Sequence, residues 1–392
     1  MATKRPAPPR QTNARTNPRN TNQRYMNEER PAGNRRPGNQ APANRRKKKK
    51  KSRKILLFVV EIFVLILMVM FLYSALKVEK TGKVNIPEES IVINERVREY
   101  AEVSLKGYRN IALFGVDSTT GQLDKNTRSD SIMIASINHD NGEVRLVSVY
   151  RDTYLNLGND RYNKCNVAYA QGGPEQAINM LNMNLDLNII DFVTVGFKGV
   201  TETVDALGGI MIEVTEAELK HINNYQITMA KELKRDYVEV KNTGYQRLDG
   251  LQATAYCRIR YTSGDDFKRA ERQRDVLKAI LDEAKKASPA TINKIANEVF
   301  GSIYTSFDLT DIIALLSDIT KYKIVDDSGF PEASMRATGT IGKAGSCVVP
   351  VDLEKNSIWL HEFLFEAEKY TPSAEVKAYS QKIKSDTDQY IR

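Results

Sequence analysis

The chain has 392 residues, enough for one large domain or two ordinary ones with appendages. Its net charge of +9 is unevenly spread: residues 1–54 carry 18 of the 58 Lys and Arg but 2 of the 49 Asp and Glu, which leaves +16 there and −7 elsewhere. The three cysteines, Cys165, Cys257 and Cys347, are too few and too scattered for a disulfide framework, and neither they nor the three histidines have zinc-site spacing. We therefore expect a mildly acidic folded part behind a basic tail.

The N-terminal segment, residues 1–54, is rich in Arg, Lys, Pro, Asn and Gln and has almost no large apolar residues. Such a composition cannot bury enough surface to offset the entropy of ordering. We expect this segment to be disordered. Because the basic cluster at residues 45–54 immediately precedes an apolar run, the positive-inside rule places the N-terminus in the cytoplasm.

The apolar run covers residues 55–76 and contains Glu61 and Ser74 as its only polar residues. A helix of this length, at about 1.5 Å per residue, spans roughly 33 Å and can cross a bilayer. A cleavable signal peptide is the competing interpretation, which the long polar segment before the run disfavours. Glu61 is either a functional group or a side chain that reaches back to the membrane interface. Its shallow depth in the membrane favours the second interpretation. We predict one uncleaved transmembrane helix, with the rest of the chain outside the cell membrane.

Three segments are predicted beyond the membrane. Residues 77–106 are highly charged and are predicted to form an extracellular stalk with a short helix near residues 95–103. Residues 107–300 are predicted to form a folded domain. Residues 301–392 are predicted to form a C-terminal helical extension that packs on this domain.

Strands and helices alternate along the folded domain. Apolar runs predict strands at 109–116, 131–138 and 143–150, and the last two are joined by Asn141-Gly142, a hairpin signal because both residues tolerate positive φ. Further predicted strands lie at 191–197, 210–214 and 253–260, and predicted helices at 175–185, 201–207, 267–286, 289–300, 309–321 and 353–370. This alternation predicts the α/β class, with a mixed β-sheet flanked by helices as an α-β-α sandwich.

Two acidic residues lie where the first predicted strand ends and the second begins. If those strands are neighbours, Asp117 and Asp130 face one edge of the sheet, where ligands collect in α/β proteins. Mg²⁺ needs few protein carboxylates when phosphate oxygens and water complete its coordination. The alternative is that Asp117 starts a turn and Asp130 caps a loop.

Basic residues recur after the same strands and farther along the chain. Arg258 and Arg260 alternate on a predicted strand, so either an anion lies between them or the strand is a solvated edge. Arg269 and Gln273 are one turn apart on the predicted helix 267–286. Arginine matches phosphate oxygens bidentately, which favours pyrophosphate as the ligand. The cations that collect near the aspartates are Arg128, Arg151, Lys164, Arg258, Arg260 and Arg269.

These motifs, in this order, closely resemble the LytR–CpsA–Psr family of Gram-positive cell-envelope proteins. The resemblance covers about residues 108–286, so the predicted domain 107–300 would be the catalytic domain of that family. The motifs are NIALFGVD at 110–117, RSDSIM at 128–133, SVYRDT at 148–153, KCNVAYA at 164–170, VDALGGI at 204–210, YCRIR at 256–260 and GDDFKR at 264–269. One departure is Tyr150, which stands where many members have proline, so the local loop geometry is expected to differ.

The resemblance implies a phosphotransferase that moves a glycopolymer, such as a teichoic acid or capsular polysaccharide, from undecaprenyl pyrophosphate to a muramic acid hydroxyl of peptidoglycan. It implies Mg²⁺, with Mn²⁺ as the alternative, held by Asp117 and Asp130. Apolar strands and their covering helices would enclose the lipid tail in a tunnel. The residues with implied catalytic roles are Asp117, Asp130, Arg128, Arg151 and Asp152. Those implied to contact the pyrophosphate are Arg128, Arg151, Lys164, Arg258, Arg260, Arg269 and Gln273.

Three points stay open in the sequence. Asp152 either acts as a base or orients Arg151, and the orienting role is favoured. An enzyme that hydrolyses polyprenyl pyrophosphates with water as the acceptor would use the same residues. A membrane-anchored transcriptional regulator whose basic tail binds a polyanion is the alternative from another class. That tail has Tyr25 as its only aromatic residue for stacking on bases, so no nucleic acid partner is expected.

Overall fold

The computed structural model describes residues 82–103, 105–118, 122–124, 126–261, 265–367 and 369–391. The predicted tail and the predicted transmembrane helix, together with residues 77–81, lie outside these ranges. Among the helices that the structure describes, none is both long enough and apolar enough to cross a membrane.

The strands form one large sheet and three small ones. Their bounds are β1 (Gly82–Lys83), β2 (Tyr108–Val116), β3 (Ser129–Asn138), β4 (Glu143–Val149), β5 (Tyr154–Asn156), β6 (Tyr162–Lys164), β7 (Asp191–Val195), β8 (Ile210–Val214), β9 (Gly244–Leu248), β10 (Ile303–Thr305), β11 (Lys323–Phe330), β12 (Arg336–Ile341) and β13 (Gly345–Pro350). The large sheet has the order β1-β10-β7-β2-β3-β4-β11, while β5–β6, β8–β9 and β12–β13 pair separately. Strand β2 pairs antiparallel with β3 and parallel with β7, so the predicted mixed sheet is confirmed.

Helices cover both faces of the large sheet. Their bounds are α1 (Glu95–Val103), α2 (Asn166–Leu185), α3 (Phe197–Ala206), α4 (Glu216–Glu232), α5 (Gly250–Arg258), α6 (Asp265–Ala284), α7 (Pro289–Glu298), α8 (Leu309–Ser317), α9 (Leu353–Phe365) and α10 (Ala374–Thr387). Phe114 of β2 packs on one face of the sheet, in a core shared with α2, α9 and α10. Ile111 of the same strand packs on the other face with Ile312 of α8. Alternation along a strand explains why one strand serves both cores.

The hairpin between β3 and β4 forms where Asn141-Gly142 predicted it. The two strands pair antiparallel, and Gly142 has φ +74°. A Cβ atom at Gly142 would lie 2.4 Å from the carbonyl oxygen of Lys321, so both the backbone angle and the close approach require glycine there. This hairpin fixes the register of the two strands whose far ends carry Asp130 and Arg151.

The predicted strand at 253–260 is wrong, because these residues belong largely to helix α5. Asp249 caps this helix. Its Oδ1 accepts a hydrogen bond from the Gln252 backbone N–H at 2.9 Å, and the Asp249 backbone N–H donates to Gln252 Oε1 at 2.9 Å. This reciprocal cap and two alanines favour a helix over a strand. Arg258 is therefore the last helical residue and Arg260 lies beyond it, so they do not alternate on one strand face.

Residues 301–392 are not only helical, which corrects the prediction for the C-terminal extension. Strands β10 and β11 from this segment belong to the large sheet, and β11 pairs in parallel with β4. The described part of the predicted stalk is likewise built into the fold, since Ile91 and Leu105 are buried in the same core as Phe114. Burial of such apolar side chains, each worth about 1.5–3 kcal/mol, holds both segments on the domain.

Candidate active site

A β-bulge at the end of β3 positions the first functional carboxylate. Gly115 pairs with Ser131 and Val116 with Ser129, so Asp130 is the extra residue between them. A bulge of this kind redirects a side chain at the edge of a sheet. Asp117 follows β2 at the same edge and is exposed, and β2 and β3 are paired neighbours, which is the condition under which the sequence placed both aspartates at one edge.

Asp130 is held between two arginines. Its Oδ1 accepts from Arg151 Nη1 at 2.7 Å, and its Oδ2 accepts from Arg260 Nη2 at 3.0 Å. Burial raises the pKa of Asp130, but the charges of Arg151 and Arg269 outweigh burial and leave this pKa below its ordinary value. Asp130 is therefore an ionised carboxylate that organises the cations around it.

Arg151 connects Asp130 to a second pair of charges. Its Nε lies 3.5 Å from Asp152 Oδ2, and Lys164 Nζ lies 3.2 Å from Asp152 Oδ1. Its Nη2 also lies 3.5 Å from Asp266 Oδ2, at the start of α6. The structure thus brings Arg151, Lys164 and Asp152 together with Asp130, as the sequence predicted, and adds Asp266 to them.

Arg269 projects from α6 into the same cluster and is almost completely buried, with 5% of its side chain exposed. Its Nη2 lies 3.1 Å from Asp266 Oδ1, whereas its buried Nη1 has no hydrogen-bond partner among the described residues. Burial, followed by the like charge of Arg151, lowers the pKa of Arg269 to about 10. A buried guanidinium with an unused donor beside another guanidinium is a site for an anion.

Two cavities meet at this cluster. The first is a small cavity of about 20 Å³ whose lining includes the charged residues Asp130, Arg151 and Arg269. The second is an apolar cavity of about 230 Å³ between the sheet and helices α3, α5 and α6. Asp130 and Gln273 line both cavities, so the apolar space begins where the charged cluster ends.

The apolar cavity lies on the α6 face of the large sheet. Its sheet side is lined by Leu113, Met133 and Val193, and its helix side by Val276 and Ile280. A charged pocket that adjoins an apolar cavity suits an amphiphilic ligand with an anionic head and a hydrocarbon tail.

Two of the predicted site residues stay apart from this cluster. Arg258 lies over the Phe197 ring at 4.3 Å and over the Tyr225 ring at 5.5 Å, with its Nη1 at 3.9 Å from Glu232. The helical conformation of α5 directs Arg258 there, away from Arg260. Arg128 is exposed immediately before β3.

Sequence reasoning missed two residues that shape the site. Asp266 contacts both Arg151 and Arg269, and its spacing of three residues from Arg269 on a helix is the signal that could have revealed it. Arg272 lies one turn further on and forms a buried ion pair with Glu218, from Nε to Oε1 at 2.7 Å. No local pattern indicated that pair, because Glu218 belongs to α4, a helix that was not predicted.

The family model described as the LytR_cpsA_psr family matches residues 68–347. The chain belongs to the LytR–CpsA–Psr family. The resemblance found in the sequence is therefore confirmed, and the matched residues include both the charged cluster and the walls of the apolar cavity.

Curated relatives of this family member include two teichoic acid transferases. The polyisoprenyl-teichoic acid–peptidoglycan teichoic acid transferase TagV of Bacillus subtilis (strain 168) is 30% identical over 213 residues, which are 53% of this chain and 51% of TagV. The corresponding TagU enzyme of Oceanobacillus iheyensis is 28% identical over 240 residues, 59% of this chain and 67% of that protein. The match with TagV thus spans about half the length of each chain.

The fold of this LytR–CpsA–Psr protein also matches a solved structure of the family. The crystal structure of B. subtilis TagV superposes with a TM-score of 0.52 at 26% identity and covers 68% of this chain and 99% of that one. The central mixed sheet flanked by helices is therefore the family fold. The C-terminal strands and helices described above complete that sheet and its layers in this chain.

This family member holds Arg151 in place without the proline that many members have before it. Tyr150 stands there, its hydroxyl accepts a hydrogen bond from Arg336 Nη1 at 2.9 Å, and its ring packs edge-on against Phe267 with centroids 4.6 Å apart. Gly329 of β11 provides the room, since a Cβ there would lie 2.0 Å from the Tyr150 hydroxyl. Packing across three elements replaces the ring constraint of proline.

Asp117 and Asp130 are the candidate ligands for a divalent cation. Among the described residues, no three His, Cys, Asp or Glu side chains are grouped to hold a metal ion. Asp117 and Asp130 supply two carboxylates at one edge, which is the number that Mg²⁺ commonly takes when phosphate and water complete its coordination. The set fits a metal that arrives with a phosphate ligand, provided that Asp130 releases one of its arginines.

Proposed function

We propose that this protein transfers a glycopolymer, a teichoic acid or a related polysaccharide, from a polyprenyl-pyrophosphate carrier to peptidoglycan. The observation that carries the proposal is the buried Arg269, which has an unused donor and lines a charged pocket that adjoins an apolar cavity. The charges around the pocket suit a pyrophosphate, and the apolar walls of the cavity suit the adjoining part of a polyprenyl tail. The transferase names of the relatives support the same reaction.

The charged pocket favours an anion with more than one phosphate. Arg151, Arg260, Arg269 and Lys164 supply four positive charges, which the carboxylates of Asp130, Asp152 and Asp266 only partly neutralise. Arginine pairs phosphate oxygens in a bidentate manner, so one phosphate group would offset the remaining positive charge and satisfy Arg269 Nη1, and the second phosphate of a pyrophosphate would be balanced by a bound cation. Mg²⁺, or Mn²⁺ in its place, bound to Asp117 and Asp130 would add further positive charge at the pyrophosphate.

The reaction that we propose joins an acceptor hydroxyl to the glycopolymer phosphate. The hydroxyl oxygen forms a bond to the phosphorus that carries the glycopolymer, the bond from this phosphorus to the bridging oxygen breaks, and polyprenyl phosphate leaves. The arginines stabilise the charge that moves onto the phosphate oxygens, which is the main requirement of phosphoryl transfer. The hydroxyl proton passes to solvent or to Asp152, whose contacts with Arg151 and Lys164 favour an orienting role.

The proposal includes the location of the enzyme. Residues 55–76 would anchor the chain as a single-pass membrane protein with its N-terminus in the cytoplasm, and the domain would lie outside the cell membrane. That topology is supported by the basic residues before the apolar run. It would keep the pocket close to lipid-linked donors in the outer leaflet.

The test uses the full-length protein in detergent with a polyprenyl-pyrophosphate-linked glycopolymer, peptidoglycan fragments and Mg²⁺. Mass spectrometry would detect the phosphodiester-linked product, which we expect from the wild-type protein and from Arg247→Ala, a control at an exposed arginine that pairs with Glu283. Arg269→Ala and Asp130→Ala should lose the product.

The other outcomes separate the alternatives. Free phosphorylated glycopolymer without a linked product would establish the hydrolase instead. Absence of turnover, together with no thermal stabilisation by inorganic pyrophosphate, would reject the enzyme and favour the regulator.

A further inference from the structure

A third cavity, of about 490 Å³, forms an open groove between the β5–β6 hairpin and the C-terminal residues. Its volume is within the roughly 300–1,000 Å³ range of small-molecule sites. Its walls combine aromatic rings with uncharged and charged hydrogen-bonding groups. The residues that define this groove are Tyr154, Tyr162, Asn163, Asp386, Gln389 and Tyr390.

The chemistry of the groove suits a saccharide. The rings of Tyr154 and Tyr162 lie 6.0 Å apart with an interplanar angle of 30°, and Tyr390 adds an exposed ring. Tyr390 presents an apolar face on which a pyranose can lie, while its hydroxyl and the side chains of Asn163 and Gln389 can pair with sugar hydroxyls. Asp386 accepts from the Tyr154 hydroxyl at 3.4 Å and is paired with Lys382, so it adds no net charge.

The β5–β6 hairpin brings the groove next to the charged cluster. In the β5–β6 hairpin, Tyr154 pairs with Lys164, whose Nζ lies 3.2 Å from Asp152. The Val348 amide, in the strand that follows the groove segment 341–344, donates to the Asp152 carbonyl at 2.9 Å. A glycan chain that lies in the groove and extends past Lys164 would therefore approach the charged cluster at Asp152.

The groove and the apolar cavity approach the cluster from different sides. Asp130 lines the cavity, the groove lies beside Lys164 and its partner Asp152, and Arg151 contacts both carboxylates. The cavity is lined by Leu113 on the α6 face of the sheet, whereas Tyr154 packs in the core of the opposite face.

This arrangement identifies which sugar the groove would hold. In phosphoryl transfer the attacking and leaving oxygens lie roughly in line across the phosphorus. A donor whose tail lies in the apolar cavity releases polyprenyl phosphate toward the cavity, so the acceptor must approach from the Asp152 side. The groove opens on that side.

We propose that the groove binds the glycan chain of the peptidoglycan acceptor and presents its hydroxyl to the phosphate beside Asp152. This assignment rests on the proposed transferase function. Asp386, Gln389 and Tyr390 lie beyond residue 347, where the family match ends, so the C-terminal residues of this chain form part of the acceptor site.

The test is steady-state kinetics with both substrates, using the full-length protein and soluble peptidoglycan glycan fragments as the acceptor. Tyr390→Ala and Gln389→Ala remove exposed side chains of the groove, so neither change disturbs the core. We expect Tyr390→Ala to raise the acceptor KM roughly tenfold, with the donor KM and kcat unchanged, because truncation of an aromatic contact commonly costs enough for that factor. The matched control is Tyr237→Ala, because Tyr237 and Tyr390 have the same exposed fraction, 43%.

Equilibrium binding of the same fragments, measured by calorimetry without donor, distinguishes a failure of this inference from a failure of the proposed function. An active wild-type protein whose acceptor KM is unaffected by Tyr390→Ala would overturn the groove assignment and leave the transferase intact. A rise in the donor KM alone would place the donor glycopolymer in the groove and also overturn it. Binding of fragments that depends on Tyr390, in a protein that transfers nothing, would support the glycan site and reject the transferase.

Discussion

Two arginines on α6, three residues apart, are both almost completely buried, yet their surroundings differ. Arg272 donates to Glu218 at 2.7 Å and to the Ile259 carbonyl at 3.2 Å, which joins α6 to α4 and to the end of α5. Arg269 shares Asp266 with Arg151 and keeps a buried Nη1 without a partner in the described part of the chain.

The difference separates a structural cation from a binding cation. A buried charge is tolerated when a partner and hydrogen bonds compensate its desolvation, as they do for Arg272. A buried charge that lies beside a like charge and keeps an unused donor is destabilised until an anion arrives, as we infer for Arg269. Burial alone therefore does not identify the site, whereas burial with incomplete compensation does.

The largest expected effect is on stability at Arg272. Arg272→Ala leaves Glu218 buried without its ion-pair partner, and we expect the free energy of unfolding to fall by about 3–5 kcal/mol. Chemical denaturation measures this change. Replacing both residues together, as Arg272→Met with Glu218→Leu, should recover most of the loss because no isolated charge remains. A double variant as unstable as the single one would contradict the structural role.

At Arg269 the expected effect is on activity rather than on stability. Arg269→Ala should lower kcat by roughly 10²–10³-fold, the usual loss when one donor to a transition-state anion is removed. The free energy of unfolding should change by no more than about 1 kcal/mol, because the lost side chain was only partly compensated. Transfer kinetics and denaturation of the same preparation measure both quantities. A stability loss as large as that of Arg272→Ala would remove the distinction between the two residues.

The pH dependence of stability should show the contribution of Glu218, the partner of Arg272. Burial raises the pKa of Glu218, but hydrogen bonds from the Thr215 amide and from Arg272 outweigh burial and leave this pKa below its ordinary value of 4.5. Because the folded-state pKa is depressed, the stability from this group is fully present above about pH 4.5 and is lost as the pH falls through the folded-state pKa. Between pH 6 and pH 3, the free energy of unfolding should therefore fall less steeply with decreasing pH in Glu218→Gln than in the wild type. Parallel curves would show that Glu218 does not contribute.

The smallest expected effect is at Tyr150, which directly precedes Arg151 in the chain. Tyr150→Phe keeps the ring against Phe267 but removes the acceptor for Arg336, and we expect a loss of about 1 kcal/mol in unfolding free energy. Activity should fall only a few-fold, since Arg151 keeps its contact with Asp130. Arg336→Gln is the partner variant, and a double-mutant cycle between the two measures their coupling. Additive effects would show that the hydrogen bond does not matter.

Much of the central sheet could be predicted because its signals are local. Alternating apolar residues gave β2, β3 and β4, and Asn141-Gly142 indicated the hairpin between the last two. The order of charged motifs identified the family and most of the cluster, including Asp130 and Arg151. The sequence also indicated α6, so Arg269 and Gln273 were placed on one side of one helix.

The sequence could not predict what depends on distant partners. The strand predicted at 253–260 is a different case, because the capping box between Asp249 and Gln252 is a local signal for a helix start that the strand prediction overlooked. That helix carries Arg258 to Phe197 and leaves Arg260 for Asp130. The bulge that directs Asp130, the pairing of β11 with β4 and the groove at Tyr390 join residues far apart in the chain.

The amino-acid sequence by itself determined the family, the α/β class and the types of charged residue in the site, because motifs and strand periodicity are written in neighbouring residues. Only the tertiary structure decided which buried arginine is satisfied, since Glu218 reaches Arg272 from another helix while Arg269 faces Arg151 from another strand end. Desolvation and charge pairing depend on distances through space. Those distances distinguish a cation that holds the fold from one that we propose binds a phosphate.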